Sequence, residues 1–420
     1  MRDVFIVGVG MTRFAKHLDR TEKDLVAEAV RKSLQDSGIN AQAVQSAVFS
    51  NSMWGYFGMQ HCIKGQIALR PLGIMGISIT NVENACASGA TALHQAWLQV
   101  TSGLYDCVLA VGVEKLYNED KAKTFLAYNA GVEVAEINSH FAALRKVFDA
   151  LPLEIPEDLN NAEGAGKSRS AFMDVYAGGA RWHMATHGTT QHQLAVIASK
   201  NHYHSSMNPY AQFQKEMSVE EILAARPVTY PLTVPMCAPV GDGAAAAIVC
   251  SKEFLAKLTA ARPVKIRASV LGSGTDRPIE REDLNITARL SRQAYEIAGV
   301  GPEDIHVAEV HDATAFGELH QSESLGFCPL GQGGPFAESG ATRLGGKIPI
   351  NVSGGLESRG HPVGASGLGQ IFELVTQLRH EAGPRQVEGC RLALAENGGG
   401  NLGFEEAAMG IHILERVKNG

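Results

Sequence analysis

The sequence predicts an α/β layered fold with mostly parallel strands. Two observations predict it: strand-like and helix-like runs alternate at both ends of the chain, and the later run repeats the design of the earlier one. Taken in order, Met1-Arg2-Asp3-Val4 leads straight into an apolar strand, which sets the expectation of no signal or transit segment. Ala29-Val30-Arg31-Lys32-Ser33-Leu34-Gln35-Asp36-Ser37-Gly38 reads as an amphipathic helix stopped by a glycine cap. Ile39 to Gln45 then leads into the apolar strand Ala47-Val48-Phe49. Ile77-Ser78-Ile79-Thr80-Asn81-Val82 is a β-branched strand, and Ala90 to Ser102 places Ala92, Leu93, Ala96, Trp97 and Val100 at helical spacing. Arg289 to Gly299, Val300 to Asp304 and the strand Val307-Ala308-Glu309-Val310 repeat the helix–turn–strand unit. Cys86-Ala87-Ser88-Gly89 is echoed by Gly364-Ala365-Ser366-Gly367, which precedes Ile371, Leu374, Val375 and Leu378 at helical period. Between Glu114 and about Pro235 the rhythm breaks into Asn118 to Thr124, a polar loop from Leu151 to Ser170, and helices such as Leu194 to Ser205.

Composition narrows the function classes. The 420 residues are 45% hydrophobic and 19% charged, ordinary for a globular enzyme. A net charge of −7 gives no reason to expect nucleic acid or an anionic membrane as partner. Seven cysteines, at 62, 86, 107, 237, 250, 328 and 390, form no CxxC pair and no disulfide framework, so a reduced, cytoplasmic setting is expected. No run approaches about 18 apolar residues, so no membrane span is expected. Histidines gather at 183, 187, 192, 202 and 204 without acidic or cysteine co-ligands at metal spacing, so no metal is expected. A GxxxxGK[ST] loop is absent, which removes a P-loop role.

Two motifs carry chemistry. Cys86 lies in Asn84-Ala85-Cys86-Ala87-Ser88-Gly89, at a strand-to-helix junction. A helix N-terminus favours the thiolate, and small neighbours let a substrate approach. Taken alone, a cysteine is more often a small buried hydrophobe. His361 lies in Gly360-His361-Pro362-Val363-Gly364-Ala365-Ser366-Gly367, framed by glycines at a second such junction. Imidazole titrates near neutrality, and together the two residues form a Cys/His pair of the kind nucleophilic catalysis uses.

These elements, with Val310-His311-Asp312, resemble the thiolase superfamily, in particular the branch related to sterol carrier protein X and archaeal acetoacetyl-CoA thiolases. Pro239-Val240-Gly241-Asp242-Gly243 with Ala244 to Ala247, and Lys200-Asn201-His202, match that branch too. The motifs run from about Asp3 to Leu414. The resemblance implies two repeated βαβαβαββ halves in a five-layered α-β-α-β-α arrangement. Residues 1–115 and 236–255 would form the first half, 116–235 an inserted loop domain over the site, and 256–420 the second half.

By the same resemblance, Cys86 attacks an acyl-CoA thioester and His361 takes and returns the proton. The backbone N–H groups of Cys86 and the Gly398-Gly399-Gly400 turn serve one oxyanion hole, and His311 orients a second, with a water. Asn397 and Gly360 belong to the surrounding substrate loops. No bound cofactor is implied; the coenzyme A thioester is the substrate. Lys121, Lys123, Lys167, Arg169 and Arg181 are candidate phosphate contacts, each also readable as a solvated surface charge.

Two departures stand out. The family's second, carbon-directed cysteine is missing from both places where it occurs: Ala313 follows His311-Asp312, and Glu396 precedes Asn397-Gly398-Gly399-Gly400. Cys237 and Cys328 are the cysteines nearest the motifs, and both read as structural. Glu396, with a pKa raised beside an apolar pocket, is the candidate base; its other reading is a turn carboxylate bound to backbone N–H groups. Three functions stay open: a thiolase or related acyltransferase, a thiolase-like retro-aldolase acting on a 3-hydroxyacyl-CoA, and a non-catalytic subunit. Implied partners are a second copy of the chain, as a dimer or dimer of dimers, and a small OB-fold, zinc-ribbon protein.

Overall fold

The computed structural model describes residues 2–156, 169–259 and 261–417. The chain opens with β1 (Val4–Met11), α1 (Glu22–Ser37), β2 (Ser46–Ser50), the short α2 (Trp54–Gly58) and α3 (Lys64–Leu69), β3 (Ser78–Val82), α4 (Ser88–Thr101) and β4 (Cys107–Lys115). An excursion follows, holding α5 (Lys121–Ala127), α6 (Ile137–Phe148), α7 (Ala171–His187), α8 (Gln191–Ser206), α9 (Val219–Leu223) and the hairpin strands β5 (Pro227–Thr229) and β6 (Leu232–Thr233). Strand β7 (Asp242–Ser251) returns to the sheet, and α10 (Lys252–Leu255) leads out of it. The remainder runs β8 (Val264–Ser273), α11 (Ile286–Ala298), β9 (Val307–Glu309), α12 (Ala315–Ser324), α13 (Gly333–Glu338), α14 (Ser366–Leu378), β10 (Leu392–Gly399) and β11 (Ala408–Arg416).

The helix signals act as their chemistry requires. Thr21 caps α1 through a capping box with Asp24, and Gly38 closes it with φ +70°. Asn285 caps α11 by accepting the N–H of Ala288, and Gly299 closes that helix with φ +66°. In the second half the middle strand shrinks to one bridge, Ile350 beside Ala308.

Nine strands form a continuous sheet in the order β3-β2-β4-β7-β1-β8-β11-β10-β9. Its two parts meet only where Phe5 and Ile6 of β1 pair with Lys265 and Val264 of β8. Strand direction differs from the sequence expectation. Among the described strands, β2–β3, β2–β4 and β9–β10 pair in parallel, as does the Ala308–Ile350 bridge, while β1–β7, β4–β7, β1–β8, β8–β11 and β10–β11 are antiparallel. Alternation of helix and strand reports the layers. It does not report direction, and each half closes with strands that no crossover helix joins to their neighbours.

Burial resolves five layers. Along β1, Val4 and Ile6 face inward onto α4 and α14, while Phe5 and Val7 face outward onto α1. Trp97, Leu93, Ile371 and Leu374 fill the middle layer, touching both parts of the sheet through residues such as Val108 and Ala393. Ile286 and Leu290 of α11 cover the far face of β8 and β11. Buried Asp242 accepts the N–H groups of Leu116 and Tyr117 at 2.8 Å each, pinning the start of the excursion to its end. Among the described residues, no helix is long and apolar enough to cross a membrane.

The N-termini of α4 and α14 meet backbone to backbone. A Cβ at Gly367 would lie 2.5 Å from Ala90 N, and one at Gly89 would lie 2.9 Å from the nitrogens of Gly367 and Leu368. Gly367→Ala should therefore cost roughly 1–3 kcal/mol of stability. A urea midpoint shifted at unchanged slope would show it.

Candidate active site

Strand β3 ends in a turn that presents Cys86 immediately before α4. Ala85 sits at φ +48°, an uncommon conformation for a residue with a side chain. The turn is held by Ala85 N–H donating to Glu83 Oε1 (2.6 Å), Asn84 N–H donating to Ser88 Oγ (2.9 Å) and Ser88 Oγ–H donating to Ala85 O (2.6 Å). A single π-helical turn, Gly355–Arg359, precedes the second turn, where Gly360 takes φ +109°.

The two turns bring His361 Nε2 to 3.2 Å from Cys86 Sγ. On the other side of the ring, His361 Nδ1 lies 2.7 Å from Ser366 Oγ, whose hydroxyl donates to Pro362 O at 3.0 Å. With that hydroxyl engaged, Nδ1–H donates to Oγ, and the Nε2 lone pair is turned toward the thiol. His311 stands beside this pair, its ring 5.3 Å from that of His361 and nearly perpendicular to it. Asn397 Nδ2 donates to His311 Nδ1 (3.2 Å), which places the ring proton of His311 on Nε2. One ligand-type atom from each of Cys86, His311 and His361 lies within 4.8 Å of the others.

Burial dominates the electrostatics. It pushes the Cys86 thiol up to about 12, and Glu114 and Glu83 push the same way. This runs against the expectation of a thiol lowered by its helix N-terminus: removal from water and two nearby carboxylates raise it, and a backbone hydrogen bond at Cys86 lowers it less. Burial brings His311 down to about 4 and His361 well below its ordinary value, the latter helped by His311 and Arg359. At neutral pH the set is thus a thiol with two uncharged imidazoles.

Glu396 departs from the expected base position. It is fully buried and does not line the cavity, and its Oε2 accepts the backbone N–H of His311 at 2.8 Å. Its Oε1 has no partner, and burial, reinforced by Glu406, holds the carboxyl well above its usual range. Asn397 and Gly360 also stand behind the wall, Asn397 on His311 and Gly360 close to Gln212 and Phe14. Gly399 and Gly400 do line the cavity; a Cβ at Gly399 would lie 2.7 Å from Cys86 N, so only glycine lets this strand end reach the nucleophile turn.

Supporting residues emerge that the motifs did not single out. Glu114 accepts from Asn51 Nδ2, Met53 N–H, Ser52 N–H and Gly364 N–H (2.8–3.0 Å), tying the first half to the His361 turn; burial raises it to about 7. Asn201 Nδ2 donates to Asp312, Glu318 and Glu357 (2.8–3.2 Å), and Lys200 pairs with Glu318. The Lys200-Asn201-His202 motif is thus a buried hub behind both histidine turns.

The site opens into a cavity of about 660 Å³. Met53, Phe125, Tyr128, Phe172, Met173 and Tyr176 form much of its wall, and Lys215 and Arg226 are exposed members of it. Neither cation had a sequence signal. Of the expected phosphate contacts, Arg169 lines the cavity but is buried against Asp174 (2.8 Å). Lys123 lies over the rings of Tyr56 and Phe57, Arg181 donates to Tyr230 O, and Lys121 is exposed away from the wall. Lys167 lies outside the described residues. Cys237 lines the cavity with its thiol toward Thr233 O (3.5 Å); Cys328 does not reach it.

Comparison with known proteins matches the chain to a family. Residues 4–253 match the family model for the thiolase N-terminal domain, and residues 277–415 match the thiolase C-terminal domain-like model. The chain is 36% identical to acetyl-CoA acetyltransferase of Methanothermobacter thermautotrophicus, covering 99% of this chain and 100% of that protein. It is 39% identical to sterol carrier protein 2 of Bos taurus, covering 98% of this chain and 74% of the relative. In structure it is similar to the solved Ltp2-ChsH2(DUF35) aldolase, with a TM-score of 0.77 at 23% identity over 100% of this chain and 99% of that one, a likeness of fold.

Because the resting thiol is protonated, alkylation of Cys86 by iodoacetamide should be slow at pH 7. It should rise about tenfold per pH unit toward pH 9. A rate already at its plateau by pH 7 would show instead a resting thiolate–imidazolium pair.

Proposed function

The chain belongs to the thiolase family and is an acyltransferase of the thiolase type; we propose that it forms an acyl-Cys86 thioester from an acyl-CoA and passes the acyl group to a carbon or other acceptor. The observation that carries this reading is the 3.2 Å approach of His361 Nε2 to Cys86 Sγ, with Nδ1 held by Ser366. As the thioester carbonyl arrives, Cys86 Sγ bonds to carbon and its proton moves to Nε2. The C–S bond to coenzyme A then breaks, and Nε2 returns the proton to the departing sulfur. The oxyanion lies against the backbone N–H groups of Cys86 and the Gly399–Gly400 turn, while His311 Nε2–H serves the oxyanion or enolate of the second half-reaction. Both donors are fixed before substrate enters, and the apolar wall excludes water.

Glu396 fits a positioning role: through the His311 N–H it sets the height of that ring in the cavity. Lys215 and Arg226 suit the coenzyme A phosphates, being cations on the cavity wall that remain in solvent. We further propose a homodimer through β3, an exposed edge strand of the sheet whose unpaired backbone groups invite a second copy. A small OB-fold, zinc-ribbon partner is proposed as well, on the fold likeness to the chain of the Ltp2-ChsH2(DUF35) assembly.

Intact-mass spectrometry after incubation with acetyl-CoA and longer acyl-CoAs should show one acyl adduct per chain, absent in Cys86→Ala. No adduct with any thioester on folded protein, with or without a partner, would overturn the acyltransferase reading. His311→Ala should keep the adduct but slow carbon–carbon chemistry about 10²–10³-fold. Glu396→Gln preserves an oxygen for the His311 N–H and should keep both steps within about tenfold. A far larger loss confined to the carbon–carbon step would make Glu396 the base.

A further inference from the structure

The histidines of the excursion lack acidic neighbours in sequence, but the fold supplies them from the second half. His183 and His187 lie one turn apart on the same face of α7, with ring centroids 4.6 Å apart. Glu282, just before α11, meets His187 Nε2 at 3.0 Å, and Glu323 of α12 meets His183 Nε2 at 3.1 Å. One donor atom each from His183, His187 and Glu282 lies within 4.8 Å of the other two.

The surroundings are those of a built site. His183 Nδ1 is 2.7 Å from Thr189 Oγ1, and Glu323 Oε1 accepts Gly333 N–H at 2.6 Å, so both ligands on that side are oriented from behind. His183 and Glu323 side chains are fully buried, and His187 is 19% exposed, which leaves an entry path. Glu282 and His183 also line a cavity of about 100 Å³, room enough for an ion and water. His320 lines it too, stacked on Phe316 and without a hydrogen-bond partner among the described residues. Arg277 lies on the same cavity, but its guanidinium is spent on Glu405 and on the carbonyls of Pro278, Ile279 and Phe404.

We propose that His183, His187 and Glu282, closed by Glu323, form a binding site for a divalent transition metal, with zinc as the fitting ion. Two neutral imidazoles and two carboxylates are a nitrogen–oxygen donor set whose charge a divalent cation cancels. Tetrahedral zinc with bonds of about 2.0–2.1 Å spaces its ligand atoms about 3.3 Å apart, close to the two imidazole–carboxylate separations already present. The cation takes the place of the hydrogen bonds that now join each imidazole to its carboxylate. Three protein donors gather at the ion position, and Glu323 reaches it from the His183 side. The site clamps the end of α7 to α12, and α7 is the helix that carries Phe172, Met173 and Tyr176 along the wall of the active cavity.

The test is calorimetric titration of the metal-stripped full chain with zinc chloride, alongside His187→Ala, Glu282→Gln, Thr189→Val and Cys86→Ala. Cys86→Ala is included because Cys86, His311 and His361 also bring three donor atoms together. We expect one equivalent bound, lost in His187→Ala and Glu282→Gln, kept in Cys86→Ala, and weakened about tenfold in Thr189→Val. Zinc should raise Tm of the wild type and leave that of His187→Ala unchanged, with circular dichroism verifying that the metal-free variant is folded. Absence of saturable binding to the wild type would overturn the proposal. So would binding that survives His187→Ala and disappears in Cys86→Ala.

Discussion

Everything at the active site depends on one close approach: the side-chain-free crossing of α4 and α14 at Gly89 and Gly367. Cys86 lies just upstream of one helix and His361 just upstream of the other, 275 residues apart in sequence. Because the helix starts touch through backbone, the turns before them converge and a thiol meets an imidazole. Both sheet parts and the outer helices act to hold that crossing in place. The repeat matters for this reason, since two copies of one strand–turn–helix unit, placed back to back, point two different reactive side chains into one space.

The second constraint is dryness. The thiol and both imidazoles are kept uncharged by burial, and behind them stands a shell of buried carboxylates: Glu114, Asp312, Glu318, Glu357 and Glu396. Unpaired carboxylates there would be costly, and the fold answers with donors. Four donors converge on Glu114, Asn201 serves three carboxylates at once, and Lys200 neutralises Glu318. Burial holds Asp312 and Glu357 well above their ordinary values, so these two keep protons that solvent-exposed acids would lose. The reactive groups are therefore set among buried, hydrogen-bonded supports, where a small shift of charge in the substrate is felt strongly.

How much of this was legible in the sequence follows from what each signal encodes. Cys86 and His361 were legible because glycine-rich turns at strand–helix junctions permit few geometries, and His311 was legible through the resemblance that several ordered motifs carry. The layers were legible for the same reason that amphipathic runs are: each face needs a partner. Strand direction was not, since hydrophobic period is blind to it. The place of Glu396 could be read but its rotamer could not; whether it turns to the cavity or to the His311 N–H depends on a neighbour 85 residues away. The acidic partners of His183 and His187 were invisible for a related reason, because Glu282 and Glu323 arrive from another half of the molecule. Lys215 and Arg226 look like any other surface cations until the cavity is seen.

The reactive centre draws on turns spread from Asn84 to Gly400, with Gly399 pressed directly against the backbone of Cys86. A growing chain on the ribosome therefore carries its thiol through most of synthesis without the strand that completes the pocket, without the imidazole that takes its proton and without the donors that would receive an oxyanion. The early half can collapse around its own layers during that time. The assembled centre therefore arrives late and all at once, when strand β10 closes against the turn that carries the thiol.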